Sequence, residues 1–553
     1  MYSRTFHRIL SLLLVLAVVL AFGATNRASA QQSSGTVLAD VGFRPDGNGF
    51  GFSNYGGDPK VTNLTPADMR RLFGDAACAR LNGDTCDLVP QVQQIMDTFN
   101  GSMNGGHCEG MAVLSELFYS GQLKPADFGQ DSPTALPFDS NSKLQREIAY
   151  WFSTQFLKVI ANASIKDKSP KDIVNFLVQA MKDKKEYYVV HIFQPGYKGG
   201  HAVSPYEVLD MGNGIERIMV YDNNWPKDGN RYVEVDTNAN TWTYLAATDP
   251  TVPESVYKGD ASTLTLQLAP ISPRLGQLPC VFCKAYDPST QVKAASGLQQ
   301  VAFITGNRAA QTEADNYQIS LETTSEENDT DLLLTDAQGH RLGYQGGQFY
   351  SEIPGDSFIP GVSDNLFKDN PEPDYFIPTG TAVTITIDGS AVKTDEVSSV
   401  SLIGPGYDLA VEDIHVKPGE KDTLILSPDG TKITYTPSGD EAPNLVVGLQ
   451  HSGADWEFNV KGADVQPGST VTITLDESKG RLGIETTGSG EKTTTYAIQV
   501  DRIDTNAHDV FTHDGLSIDP SQQAYIEYGT WDGKGDLNVT VGDKTQAESN
   551  TTK

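Results

Sequence analysis

The chain has 553 residues, with 41 Lys and Arg against 71 Asp and Glu and a formal net charge of −30. That surplus of acid excludes nucleic acid and anionic membrane as natural partners, and the length exceeds what one hydrophobic core ordinarily fills. Abundant glycine, 52 residues, beside an aromatic content of 9% suits a turn-rich, largely β chain.

Arg4, His7 and Arg8 lead into an apolar run from Ile9 to Phe22, and Ala28-Ser29-Ala30 supplies the small residues of a cleavage site. This predicts a signal peptide over 1–30, cleavage between Ala30 and Gln31, and a secreted protein with no membrane span. Residues 31–61 read as an irregular arm rich in Gly and Asp. Pro66 after Thr65 predicts a helix to about Phe73, and a second spans Pro90 to Phe99. Gly105-Gly106-His107-Cys108 then opens a helix with Met111, Leu114, Leu117 and Phe118 on one inward face. Leu144, Ile148, Phe152, Phe156 and Ile160 mark one long amphipathic helix, and Ser169-Pro170 opens the next.

From Tyr187 the pattern changes to strands, at Tyr187–Phe193, Ala202–Leu209, Ile215–Tyr221, Arg231–Val235 and Thr241–Tyr244. Helices followed by strands predict an α+β domain over 62–285. Beyond Ala295 short alternating runs such as Thr381–Ile387, Thr423–Leu426, Thr470–Leu475 and Tyr496–Val500 predict all-β sandwich modules. These are placed at 296–415 and 416–545, with a polar tail over 546–553 and no strict internal repeat.

Five cysteines sharpen the reading. Cys78 and Cys86 flank a short turn and Cys280 and Cys283 form a C-x-x-C, so outside the cell two close pairs suit two disulfides. That leaves Cys108 as the unpaired thiol, at the first turn of a helix where free backbone N–H groups favour a thiolate. His201 follows Gly199-Gly200 at a strand start, and Asp222-Asn223-Asn224 ends the neighbouring strand. Counted about the Gly212–Gly214 turn, His201 and Asp222 fall beside each other. A nucleophile, a base and a group that orients the base are what thiol catalysis requires. His107 reads as a capping or surface residue and His191 as a core one. Asp222-Asn223-Asn224 with Asp228 also offers oxygen ligands of the kind that hold structural calcium, without the spacing of a calcium loop. No other cofactor is implied.

The segments Gly106-His107-Cys108-Glu109-Gly110-Met111, Gly200-His201-Ala202-Val203 and Val220-Tyr221-Asp222-Asn223-Asn224 resemble the papain-like cysteine peptidase superfamily in its divergent secreted bacterial members. The resemblance covers roughly residues 62–285 and implies a papain-like α+β domain ahead of the all-β sandwich-type domains. It implies Cys108 as nucleophile, His201 as base and acid, and Asp222, or Asn223 or Asn224, as the orienting group. It also implies a peptide or isopeptide substrate, with the backbone N–H of Cys108 forming part of an oxyanion hole. Where the family carries a glutamine six residues before the cysteine this chain has Ser102, leaving Asn104, or Asn100, as the substitute amide. Glu109 beside the thiol would raise its pKa. The β modules would target the enzyme to a surface polysaccharide or protein. The alternative is a non-catalytic adhesion or carbohydrate-binding protein built on an inactive scaffold of the same kind.

Overall fold

The computed structural model describes residues 35–57, 60–246, 256–283, 316–323, 329–363, 372–451, 453–462, 465–488, 493–519 and 522–551. The signal expected over 1–30 lies outside them. Strand accounts for 42% of the described residues and helix for 20%, and every α-helix among them ends by Asp183. Among the described residues, the helical part of the α+β reading therefore belongs to the first half.

That half opens with β1 (Thr36–Asp40) and a single helical turn, α1 (Pro45–Asn48). Helices α2 (Pro66–Phe73), α3 (Pro90–Ser102) and α4 (Cys108–Tyr119) follow, with a hairpin of β2 (Cys78–Asn82) and β3 (Thr85–Leu88) between the first two. Prolines stand at the first helical position of α2 and α3, where a missing N–H costs no hydrogen bond. The single long helix expected through Ile160 is two: α5 (Ser142–Ser153) and α6 (Lys158–Ala163), parted by a 3-10 turn at Thr154–Phe156. In α7 (Pro170–Asp183) the Ser169 side chain caps the start by accepting from the Asp172 N–H.

Seven strands then complete the half: β4 (Tyr188–Phe193), β5 (Gly200–Gly212), β6 (Ile215–Tyr221), β7 (Tyr232–Asp236), β8 (Thr241–Leu245), β9 (Val256–Asp260) and β10 (Leu266–Pro270). With β1 they form one eight-stranded antiparallel sheet in the order β10-β4-β5-β6-β7-β8-β9, β1 also pairing with β5. The irregular arm is thus corrected. β5 is 13 residues long and β4 pairs only with its first four, from Gly200 to Val203. Its far half would present an unpaired edge, and β1 covers it from Asp210 to Glu207. Behind β1, Phe43 and Phe50 of the same segment are fully buried.

The second half is two sheets over one core, not two modules. A nine-stranded and an eleven-stranded sheet each run unbroken across residue 415. Tyr407–Val416 pairs with Asn444–Leu449 in one, and Val383–Asp388 with Lys421–Leu426 in the other. Hairpins alternate between the sheets. Those starting at Glu396, Asn444 and Thr494 lie in the first, and those starting at Lys421 and Thr470 in the second. The crossings from first to second sheet reuse one turn: Lys417-Pro418-Gly419-Glu420 and Gln466-Pro467-Gly468-Ser469 both close by a hydrogen bond from fourth to first residue. Gly419 and Gly468 take φ of 84° and 78°, the third-position conformation of a type II turn. The chain therefore does carry a structural repeat, and apolar residues of all these hairpins share one cluster.

The halves touch at several places, two of which set the position of catalytic segments. α3 lies on the nine-stranded sheet. The 194–199 loop, which leads into β5, is held by the second half: the Tyr344 hydroxyl donates to the Gly196 carbonyl at 2.6 Å, Lys198 pairs with Asp331, and the Tyr197 ring packs against Phe358 at 5.1 Å.

Candidate functional site

Cys108 is the first residue of α4, and it is free and fully buried. One inward face was too narrow an expectation for this helix. Every residue from Cys108 to Phe118 is buried, Glu109, Ser115 and Glu116 included, because α4 runs between the sheet and α5 with protein on all sides.

His201, at the start of β5, is buried and donates from Nε2 to Asp222 Oδ1 at 2.8 Å. The two do not face each other across the ladder. Bulges beside Pro205 and Gly212 shift the register so that Tyr221 faces Ser204, and Asp222 reaches back to His201 through its side chain. Asp222 Oδ1 also accepts from the Asn224 backbone N–H at 2.8 Å, while Oδ2 accepts from the Tyr244 hydroxyl. Asn223 has a separate task. Its side-chain amide donates to the carbonyls of Cys108 and Ala202, both at 3.0 Å, tying the start of α4 to β5. Of the three Asx candidates, Asp222 is the one that meets the imidazole.

Nδ1, the remaining ring nitrogen of His201, has no fully formed hydrogen bond, and Cys108 is its electrostatic neighbour. Burial works against charge on His201, but the Asp222 carboxylate outweighs it and holds the imidazole well above its ordinary pKa. Burial pushes the Cys108 thiol up, opposed by the His201 beside it. Asp222 is held below the usual carboxylate range: burial opposes its charge, and His201, Tyr244 and the Asn224 N–H restore it.

Glu109 does not simply burden the thiol. It is fully buried between Arg274, 2.5 Å from Oε1, and His191, 2.8 Å from Oε2. Despite burial, the Arg274 guanidinium and the contact with His191 hold its carboxyl down to about 2, and Glu109 remains only a minor upward influence on Cys108. Arg274 is itself fully buried, donating to the Pro270 carbonyl at 3.1 Å and to the Thr154 hydroxyl at 2.6 Å. The 3-10 break after α5 thus presents Thr154 to this arginine.

Neither expected oxyanion residue lies at the thiol. Ser102 Oγ donates back to the Thr98 carbonyl at 3.0 Å within α3, and Asn104 is exposed beside Gly57. Asn100 binds both polar groups of the Leu64 backbone. The side-chain amide found at the entry to α4 is Asn54, from the segment read as an arm. Its Oδ1 accepts from the His107 N–H at 2.7 Å and its Nδ2 donates to the Ser363 carbonyl at 3.4 Å. His107 is not a surface residue: it is fully buried, stacked on Tyr55 at 4.1 Å, with ring contacts to Tyr55 O and Asn63 Oδ1. Burial lowers it to about 4, so it is neutral. Sequence reasoning missed Asn54, Arg274 and Tyr244. None sits in a motif, and a lone Asn or Arg in a loop carries no local signal of where it is recruited.

Cys78–Cys86 and Cys280–Cys283 are disulfide-bonded. Among the described residues no group of three or more His, Cys, Asp or Glu is placed to hold a metal ion. The calcium reading is corrected on the same ground, since Asp222 is engaged by His201 and Tyr244 while Asp228 turns to Asn230 and Arg231. Among the described residues no helix is long and apolar enough to cross a membrane. No family model, no curated protein and no solved structure matches the chain.

Proposed function

We propose that this protein is a cysteine hydrolase of peptide or isopeptide bonds, acting through Cys108, His201 and Asp222. The observation that carries the reading is the buried chain of contacts from the Tyr244 hydroxyl to Asp222 and from Asp222 to His201 Nε2. It leaves the other ring nitrogen to the only free cysteine among the described residues. A carboxylate fixing one nitrogen of an imidazole sets the tautomer and stabilises the imidazolium. The order of nucleophile, base and acid along the chain accords with the papain-like resemblance.

In this reaction His201 Nδ1 takes the Cys108 proton, and the thiolate attacks the amide carbonyl carbon. The carbonyl oxygen gains negative charge beside the unpaired N–H groups at the start of α4, with the Asn54 amide as the second donor. The C–N bond breaks as His201 returns the proton to the leaving amine, which leaves a thioester on Cys108. Water, deprotonated by His201, then hydrolyses the thioester and restores the thiol. The β half is assigned the task of holding the enzyme on a surface or partner, by analogy of fold class alone.

The test is the pH profile of iodoacetamide labelling at Cys108, mapped by mass spectrometry. The profile rather than the absolute rate is the readout, because the thiol is buried. An inflection well below pH 8 that disappears in His201→Ala supports the hydrolase. An inflection in the range of an ordinary thiol, unmoved by that substitution, supports the inactive scaffold instead.

A further inference from the structure

We propose that the segment Ile359–Ser363 of the β half occupies the substrate groove of Cys108, so that the resting protein is latent and the groove takes an extended peptide with a small branched aliphatic residue. The proposal rests on the hydrolase reading above and adds its substrate class and its control.

Val362 is fully buried and belongs to the same apolar cluster as Cys108, although more than 250 residues separate them in the chain. Both main-chain groups of Val362 are engaged by one side chain: its N–H donates to Gln155 Oε1 at 2.7 Å and its carbonyl accepts from Gln155 Nε2 at 3.2 Å. Gln155 is itself buried, in the 3-10 turn after α5. A primary amide that donates to and accepts from a single residue reads the peptide backbone as a neighbouring β-strand would.

The residues on either side of Val362 point the other way. The Gly361 carbonyl lies 2.7 Å from where a Cβ on Gly200 would stand, and the Ser363 carbonyl 1.9 Å from where a Cβ on Gly106 would stand. In an extended chain successive residues present their polar groups to opposite sides, so Val362 facing Gln155 with Gly361 and Ser363 facing away is the arrangement of a bound strand. The two glycines lead directly into the two catalytic segments, Gly106 into Cys108 and Gly200 into His201. Each lacks a side chain where the strap's backbone passes. The Ser363 carbonyl also accepts from Asn54, the amide assigned to the oxyanion. The strap therefore lies between the entry to α4 and the entry to β5, with a carbonyl presented to the donor that would meet a substrate's.

Contacts of the β half with the 194–199 loop hold one wall of this groove. Opening the site requires only that the strap leave, since Gln155, Asn54 and the two glycines all belong to the first half.

The experiment compares iodoacetamide labelling of Cys108 at fixed pH in the full chain and in Val362→Asp, which puts a charge into the apolar seat. The expected result is labelling at least about tenfold faster in the variant, because the thiol is exposed without global unfolding. The peptide acetyl-Phe-Ile-Pro-Gly-Val-Ser-amide should restore protection, and the same peptide with Asp for Val should not. Val362→Ala serves if the charged variant fails to fold, with a smaller acceleration in the same direction. Equal labelling of the wild type and the folded variants, or no protection by the peptide, overturns the proposal. Peptide hydrolysis is read separately. Faster labelling and peptide protection with no hydrolysis by the opened variant would leave the strap in place and overturn the hydrolase. Hydrolysis by the wild type at the rate of the variant would do the reverse.

Discussion

Two sets of buried acids, one in each half, are satisfied in opposite ways. In the first half, the buried acids around the thiol are kept charged by basic partners: Glu109 by Arg274 and His191, and Asp222 by His201. In the β half, Asp374 meets only Ser320 and Gln318, and Glu372 meets the Leu332 N–H and the Tyr375 hydroxyl. Burial accordingly raises those two to about 7 and about 8. Hydrogen bonds from neutral donors satisfy a carboxyl without making it worth ionising at that depth, whereas a cation in contact does. The carboxyls beside the thiol are thus held in the charged form, whereas Asp374 and Glu372 are pushed toward the neutral one.

This contrast can be broken at the site first. Cys108→Ala should abolish hydrolysis by the opened enzyme, a loss on the order of 10^5-fold or more in kcat, while thermal unfolding stays near wild type. Asp222→Asn keeps the shape but not the charge, and kcat should fall by ~10^3-fold or more. Recovery of much of that loss at alkaline pH would show that the carboxylate acts only by raising the His201 pKa. No loss at all would remove Asp222 from the site.

Glu109→Gln leaves Arg274 charged and buried without its partner. The stability of the first half should drop by about 3–5 kcal/mol in denaturant titration, and a change below 1 kcal/mol would mean that the charged network is not what holds α4.

One residue crosses the comparison. Glu116 lies in the first half yet is buried with no hydrogen bond to either oxygen, and burial lifts it from 4.5 to about 8. A carboxyl whose pKa is raised on folding favours the native state fully below its unfolded pKa. That contribution is lost as pH rises through the folded value. Between about pH 5 and 8 the protein should therefore lose stability on the order of a few kcal/mol from this group. Glu116→Gln should flatten the slope of melting temperature against pH over that window, with the slope left over belonging to the other carboxyls that burial raises, Asp374, Glu372, Glu322 and Glu441 among them. An unchanged slope would remove Glu116 from the pH dependence.

The smallest effect is at the repeated turn. Gly468 has φ of 78° and open space where a side chain would go, so Gly468→Ala costs backbone strain alone, about 1 kcal/mol. Hydrolysis by the opened enzyme should not change. A loss of activity would couple the β half to the chemistry more tightly than the strap does.

Much of the first half is legible locally. Pro66, Pro90 and Pro170 mark helix starts because proline fits the first turn and nowhere later. The Gly-Gly pair before Cys108 ends one element, and the apolar spacing after it begins another. The repeated Pro-Gly turn, at Pro418-Gly419 and Pro467-Gly468, went unread, because the strands between carry only alternation and so hide the repeat from a search for identical residues. β1 was not legible: Thr36–Asp40 is a strand because β5 has an unpaired edge, and that edge exists only in the folded sheet. The same holds for the break at Thr154, where the apolar spacing Leu144, Ile148, Phe152, Phe156 runs on across the turn while Thr154 gives its hydroxyl to Arg274.

By itself the sequence determined which groups are available and how each segment is shaped near it. It set a thiol at a helix start, a histidine at a strand start, an acid just past the next strand, and four cysteines in two close pairs. Those are short-range matters of backbone sterics and spacing. Tertiary structure decided which Asx meets His201, through two bulges that no local rule predicts. It also decided which side chains meet Glu109, and that Val362 lies in the same buried cluster as Cys108. Each of these depends on burial, which no segment possesses until the rest of the chain has packed around it.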